Sequence, residues 1–171
     1  KLMVVACNTA TAACIKEMRE KYTIPIVGME PAVKPAIMES KEKRIGILAT
    51  EGTLKSAKFS ALLEHHDGEY HFYTQPCVGL VELIEKGEIN TPEIRELVSN
   101  YLAPLKHHNV DVIVLGCTHY FYIKNIVEEY FKEPVKVIET GGAVAKQVLK
   151  TLKKHNLLNN RKDKNPLIYS N

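Results

Sequence analysis

Two short segments of this 171-residue chain carry side chains whose types and spacing could do chemistry. Val4-Val5-Ala6-Cys7-Asn8-Thr9 and Val114-Leu115-Gly116-Cys117-Thr118-His119 each run from apolar residues through a small residue to a cysteine, then to hydroxyl, amide or imidazole groups. A cysteine where a helix begins faces unpaired backbone N–H groups, which favour its thiolate and lower its pKa from about 8.5. Two such thiols on opposite faces of one carbon suit racemisation or epimerisation, one removing a proton while the other returns one. The obstacle is the weak acidity of a C–H bond beside a carboxylate, so the site must offer hydrogen-bond donors to the developing charge and exclude water. Asn8, Thr9 and Thr118 are suitable donors. The plain alternative is that free cysteine is a small apolar filler, among the most buried residue types. On the residues alone both readings stay open for Cys7 and Cys117. Filler is the expectation for Cys14, amid Ala12, Ala13 and Ile15, and for Cys77, after Pro76.

The elements that must position these groups follow from periodicity. Short apolar runs alternate with stretches at helical spacing, the pattern of β-α units on parallel sheets. It predicts strands at Leu2 to Ala6 (buried), Ile24 to Gly28, Arg44 to Ala49, Tyr70 to Thr74, Asp111 to Leu115 and Val135 to Ile138. Helices are expected at Thr9 to Lys21, Pro31 to Glu39, Leu54 to His66, Gly79 to Glu85, Pro92 to Leu105, Tyr120 to Phe131 and Gly142 to His155. Asn156 to Lys164 reads as loop and Pro166 to Ser170 as the start of another strand. The fold class is α/β. Both cysteines fall where a strand ends and a helix begins, and open α/β sheets bind ligands there. Their separation of 110 positions suggests two lobes of like design facing one cleft. The first, incomplete lobe is assigned residues 1–30 and 140–171, the second 31–139.

Composition narrows the function classes. The chain is 45% hydrophobic and 25% charged, as a folded protein should be, and no apolar run approaches the roughly 20 residues that span a bilayer. Net charge is +3, but seven of the basic residues lie from Lys146 onward, which leaves the first 145 residues at −3. A basic tail on an acidic body is a poor footprint for nucleic acid. The four cysteines lack the C-x-x-C spacing of a zinc ribbon or redox turn, so a metal is not expected and reduced thiols in the cytoplasm are. Glu51 and Lys55 read as a solvated ion pair, and His65-His66 and His107-His108 as helix-end residues. Thr50 or Thr53 reads as an N-cap, and Glu85 as a helix-end carboxylate.

Four segments in order, Ala6-Cys7-Asn8-Thr9-Ala10, Glu30-Pro31-Ala32-Val33-Lys34, Ala49-Thr50-Glu51-Gly52-Thr53-Leu54-Lys55-Ser56 and Leu115-Gly116-Cys117-Thr118-His119-Tyr120, resemble the bacterial glutamate racemases of the aspartate/glutamate racemase superfamily. The Ala-Thr-x-Gly-Thr segment tilts the likeness toward the glutamate-specific branch. The resemblance implies two pseudo-symmetric α/β lobes around the active site. It also implies cofactor-independent interconversion of L- and D-glutamate for peptidoglycan, carried out by a homodimer. Cys7 and Cys117 match the two catalytic thiols. Asn8, Thr9, Thr118 and His119 match substrate-holding positions, and Thr50 and Thr53 fall on hydroxyl positions near the carboxylates. His119 is also similar to a histidine that assists the second thiol, and Glu85 to a glutamate near that histidine. The family's first strand, with its Asp-Ser pair, and its Pro-Tyr-Gly segment have no counterpart after Lys1. The expectation is a chain lacking its N-terminal part and its last helix, and inactive by itself. An aspartate or broad-specificity racemase, and a small-acid binding module without turnover, are the alternatives.

Overall fold

The structure, a computed structural model, describes residues 1–66, 68–131 and 134–159. Its elements run β1 (Met3–Val5), α1 (Asn8–Lys21), β2 (Ile26–Gly28), α2 (Val33–Glu39), β3 (Arg44–Ala49), α3 (Glu51–Leu54), α4 (Ala57–Glu64) and β4 (His71–Pro76). Then follow α5 (Leu80–Glu85), α6 (Pro92–His107), β5 (Val112–Leu115), a 3-10 turn (Thr118–Ile123), α7 (Lys124–Tyr130), β6 (Lys136–Glu139) and α8 (Gly141–Lys154). Among the described residues all strand pairs are parallel. β1 pairs with β2, and the larger sheet has the order β4-β3-β5-β6.

The larger sheet shows why apolar runs without alternation predicted parallel strands. Strand side chains point alternately to opposite faces, and here both faces are covered. Ile45, Ile47, Val112 and Val114 pack with Val33, Ala36 and Phe59 on the α2 and α4 side. Leu48, Ile113 and Leu115 pack with Leu102, Leu105 and Ile123 on the α6 side. Ile45, Ile47 and Ile113 have no exposed surface. Gly46 leaves room for Leu105, whose Cδ1 would lie 3.0 Å from an added Cβ.

Several expectations need correction. Leu2 to Ala6 was expected to be a buried strand, but Val4 is 40% exposed, because β1 has a single neighbour strand among the described residues. The helix expected over Leu54 to His66 is two helices. Thr50 caps α3 by accepting from the Thr53 N–H, and the Ser56 hydroxyl restarts the chain as α4 by accepting from the Phe59 N–H. Each hydroxyl satisfies a helix-start donor, so two caps six residues apart impose two starts. The helix expected from Tyr120 begins instead as the 3-10 turn and becomes α-helical only at Lys124. Cys14 is only half-buried, and its thiol donates back to the Ala10 carbonyl, whereas Cys77 is buried as expected. The strand expected at Pro166 to Ser170, and the part of the loop beyond Asn159, lie outside the described residues.

Candidate active site

Both cysteines cap the element that follows their strand. Cys7 is the N-cap of α1, with extended backbone, and its Sγ accepts from the Ala10 N–H at 3.4 Å. Cys117 is the N-cap of the 3-10 turn, also with extended backbone, but its thiol makes no capping hydrogen bond. The glycine before it is required, because an added Cβ at Gly116 would lie 2.8 Å from the Leu48 carbonyl oxygen and 3.0 Å from the Ala49 Cβ. That close approach allows the Gly116 N–H to donate to Leu48 at 2.7 Å, which draws the end of β5 against β3.

The two motifs meet. Asn8 is buried, and its side-chain Nδ2 donates to the Gly116 carbonyl at 2.5 Å. The residue after one cysteine is therefore bonded to the residue before the other. The Asn8 Oδ1 is buried with no partner. Buried polar groups are nearly always paired, so an orphan acceptor at this point suits a donor group on a ligand.

On the Cys117 side, the Nδ1 of His119 lies 3.7 Å from Cys117 Sγ, and its Nε2 meets the carboxylate of Glu85. Glu85 ends α5, so a residue 34 positions away in sequence orients the imidazole. Burial pushes the Cys117 thiol up from its ordinary value. The backbone N–H groups of His119, Tyr120 and Thr118 act against that shift, and the nearby Cys7 side chain adds to it. The expectation of a lowered pKa at Cys117 is thus corrected: removal from water outweighs the helix-start donors.

On the Cys7 side, the hydroxyls of Thr9, Thr50 and Thr53 contact one another at 2.8, 2.9 and 3.1 Å. Each hydroxyl has one proton, so the ring occupies all three donors, and a bound carboxylate must open it. Gly52 makes the approach possible, since an added Cβ would come within 3.0 Å of Thr9 Cγ2. The buried Thr11 hydroxyl donates to the Val5 carbonyl and accepts from the Met29 N–H, tying the end of β1 to the residue after β2.

A cleft of about 300 Å³ opens beside Cys117 and Thr118, bounded by Met29, Tyr122, Glu139 and Thr140. Sequence reasoning did not single out these last four residues. Glu139-Thr140-Gly141-Gly142 did carry a usable signal, because it follows a strand and opens a helix just as the cysteine segments do. The structure thus brings Cys7, Asn8, Thr9, Thr50 and Thr53 together, and joins Cys117, Thr118, His119 and Glu85 to them through Gly116. Among the described residues no group of three or more His, Cys, Asp or Glu is arranged to hold a metal ion, and no helix is long and apolar enough to cross a membrane.

The chain resembles known proteins in both sequence and fold. The chain is 50% identical over 159 residues to a glutamate racemase of Ectopseudomonas mendocina and 48% identical to one of Pseudomonas aeruginosa, covering 92% of this chain and 60% of each relative. It spans about three-fifths of the length of these relatives. Among solved structures, a glutamate racemase of Bacillus anthracis superposes with a TM-score of 0.82 at 29% identity, over 94% of this chain and 60% of that one. The Escherichia coli glutamate racemase, solved in complex with L-glutamate and the activator UDP-MurNAc-Ala, gives 0.80 at 30% identity over 89% and 58%. The Asp/Glu/Hydantoin racemase family profile matches residues 1–148, so the chain belongs to that family.

Proposed function

We propose that the protein to which this chain belongs interconverts L- and D-glutamate without a cofactor, with Cys7 and Cys117 as the two bases. The thiolate on one side takes the α-proton, so the C–H bond breaks and an S–H bond forms. The electron pair passes into the carboxylate as the carbon flattens. The thiol on the other side then gives its proton to the opposite face and becomes the thiolate. No atom is gained or lost, and the reverse reaction exchanges the two roles. Asn8, Thr9, Thr50, Thr53 and Thr118 hold the substrate's amino and carboxylate groups. Glu85 orients His119, which exchanges a proton with Cys117.

The observation that carries this reading is the Asn8 to Gly116 hydrogen bond, because it brings the flanks of two cysteines 110 positions apart to one site. The same reading holds residues 1–30 with 140–171, and 31–139, to be the two lobes of a cytoplasmic homodimer that supplies D-glutamate for peptidoglycan. The test is exchange of the α-proton of L- and D-glutamate into heavy water, with aspartate as competitor, for the complete protein and its Cys7→Ala and Cys117→Ala variants. Racemisation abolished by either substitution is expected, with exchange kept at most in the one enantiomer that faces the remaining thiol. Exchange of both enantiomers that persists in each variant would overturn the two-thiol assignment, and faster exchange of aspartate would overturn the substrate.

A further inference from the structure

The largest cavity among those described, about 480 Å³, lies at the end of the four-stranded sheet opposite the cysteines. Arg44, the first residue of β3, and Asp111, immediately before β5, both border it. The carboxylates at its rim are already engaged. Asp111 accepts from the Ser40 hydroxyl at 2.7 Å and from the N–H groups of Lys41 and Glu42 at 2.6 and 2.8 Å. Glu42 pairs with Arg44 Nη2 at 3.4 Å.

The remaining polar groups of the lining are Arg44, Lys106 and Asn109. Arg44 Nε is buried with no partner, although a guanidinium offers five N–H bonds. The ammonium of Lys106, in the last turn of α6, lies 5.1 Å from the Tyr130 ring centroid, and Asn109 adds a carboxamide beside it. The rest of the wall is apolar, formed by Val110, Phe131, Pro134 and Val135. Cavities of this size with apolar walls and a few convergent polar groups are the usual form of small-molecule sites.

We propose that this cavity is a second ligand site, distinct from the cysteine cleft, for a small organic carboxylate with an aromatic or branched apolar body. The carboxylate meets the Arg44 guanidinium and the Lys106 ammonium, where charge-assisted hydrogen bonds are available. The body lies against Phe131 and Val135. Such an occupant contacts the beginnings of the two strands that lead to Thr50 and Cys117. The proposal does not depend on the racemase reading, and its test reads binding alone.

Benzoate is titrated into the full chain while backbone amide shifts are followed by NMR, with benzamide and inorganic phosphate as parallel arms. Saturable binding with a Kd of about 1 mM is expected, the affinity open to so small a ligand. The largest shifts should fall at Asn109, Val110 and Val135. Arg44→Gln and Lys106→Gln, both at partly or fully exposed positions, should each weaken binding by about tenfold. The proposal is overturned if binding does not saturate by about 10 mM, or if the shifts fall at Cys117 to Tyr122 instead. Benzamide binding as well as benzoate would remove the carboxylate from the argument, and phosphate binding as well would remove the apolar wall.

Discussion

The side-chain amide of Asn8 donates to the carbonyl of Gly116 across 108 positions of chain, at 2.5 Å and away from solvent. One hydrogen bond thereby joins the start of α1 to the end of β5, and with them the two cysteines. Asn8→Ala leaves the Gly116 carbonyl without its partner, so a loss of about 1–2 kcal/mol in urea unfolding is expected. Proton exchange should fall much further than stability does. An unchanged exchange rate would show that the bond is structural only.

Gly116→Ala should be the more damaging neighbour substitution. Its Cβ would lie 2.8 Å from a backbone oxygen in the core of the sheet, where nothing can yield cheaply. The expected cost is about 1–3 kcal/mol. Gly142→Ala, on α8 with nothing within 4 Å of the added Cβ, should instead be neutral or stabilising by up to about 1 kcal/mol. Thermal denaturation of the two variants side by side checks both signs.

Glu85→Gln keeps the shape of the side chain and removes the charge that faces His119. On the proposed reading, turnover by the complete protein should fall by about tenfold or more. Because L- and D-glutamate are equal in free energy, kcat/KM must fall by the same factor in both directions. Loss in one direction only would point to an assay artefact, and no loss to a surface role for Glu85.

The Asp111 carboxyl illustrates a pH effect with a definite sign. Burial raises its pKa, but the N–H groups of Glu42 and Lys41 and the Ser40 hydroxyl more than offset this, and the net direction is downward. A carboxyl lowered in the folded state contributes stability above its unfolded pKa of about 3.9 and loses it as pH falls through the folded value. Asp111→Asn should therefore destabilise the chain near pH 7, with the difference from the parent shrinking below about pH 4. Urea midpoints across that range test it.

Thiol reactivity should separate the cysteines. Burial pushes the Cys77 thiol up to about 12, with the Tyr120 hydroxyl acting against it, and only 3% of the residue is exposed. The thiolate is the nucleophile, so mass spectrometry after iodoacetamide treatment at pH 8 should find Cys77 modified last. Early modification of Cys77 would mean that this end of the sheet opens readily.

What could be read without coordinates was local. The order of strands and helices follows from side-chain period, since burial on both faces of a parallel sheet demands runs such as Val112 to Leu115. The placing of Cys7 and Cys117 at strand ends follows from the residues on either side of them. The break at Ser56 was legible in principle from its hydroxyl three residues before Phe59, but a continuous apolar period masked it. The 3-10 geometry after Cys117 had no comparable local signal.

The sequence by itself determined which elements form and which side chains stand at their ends, because propensity, period and capping act over a few residues. Tertiary structure alone decided that Asn8 reaches Gly116, that Thr9 closes a ring with Thr50 and Thr53, that Glu85 meets His119, and that burial raises the Cys117 thiol. Each of these depends on distance and solvent exclusion between segments far apart in the chain, and those are properties of packing.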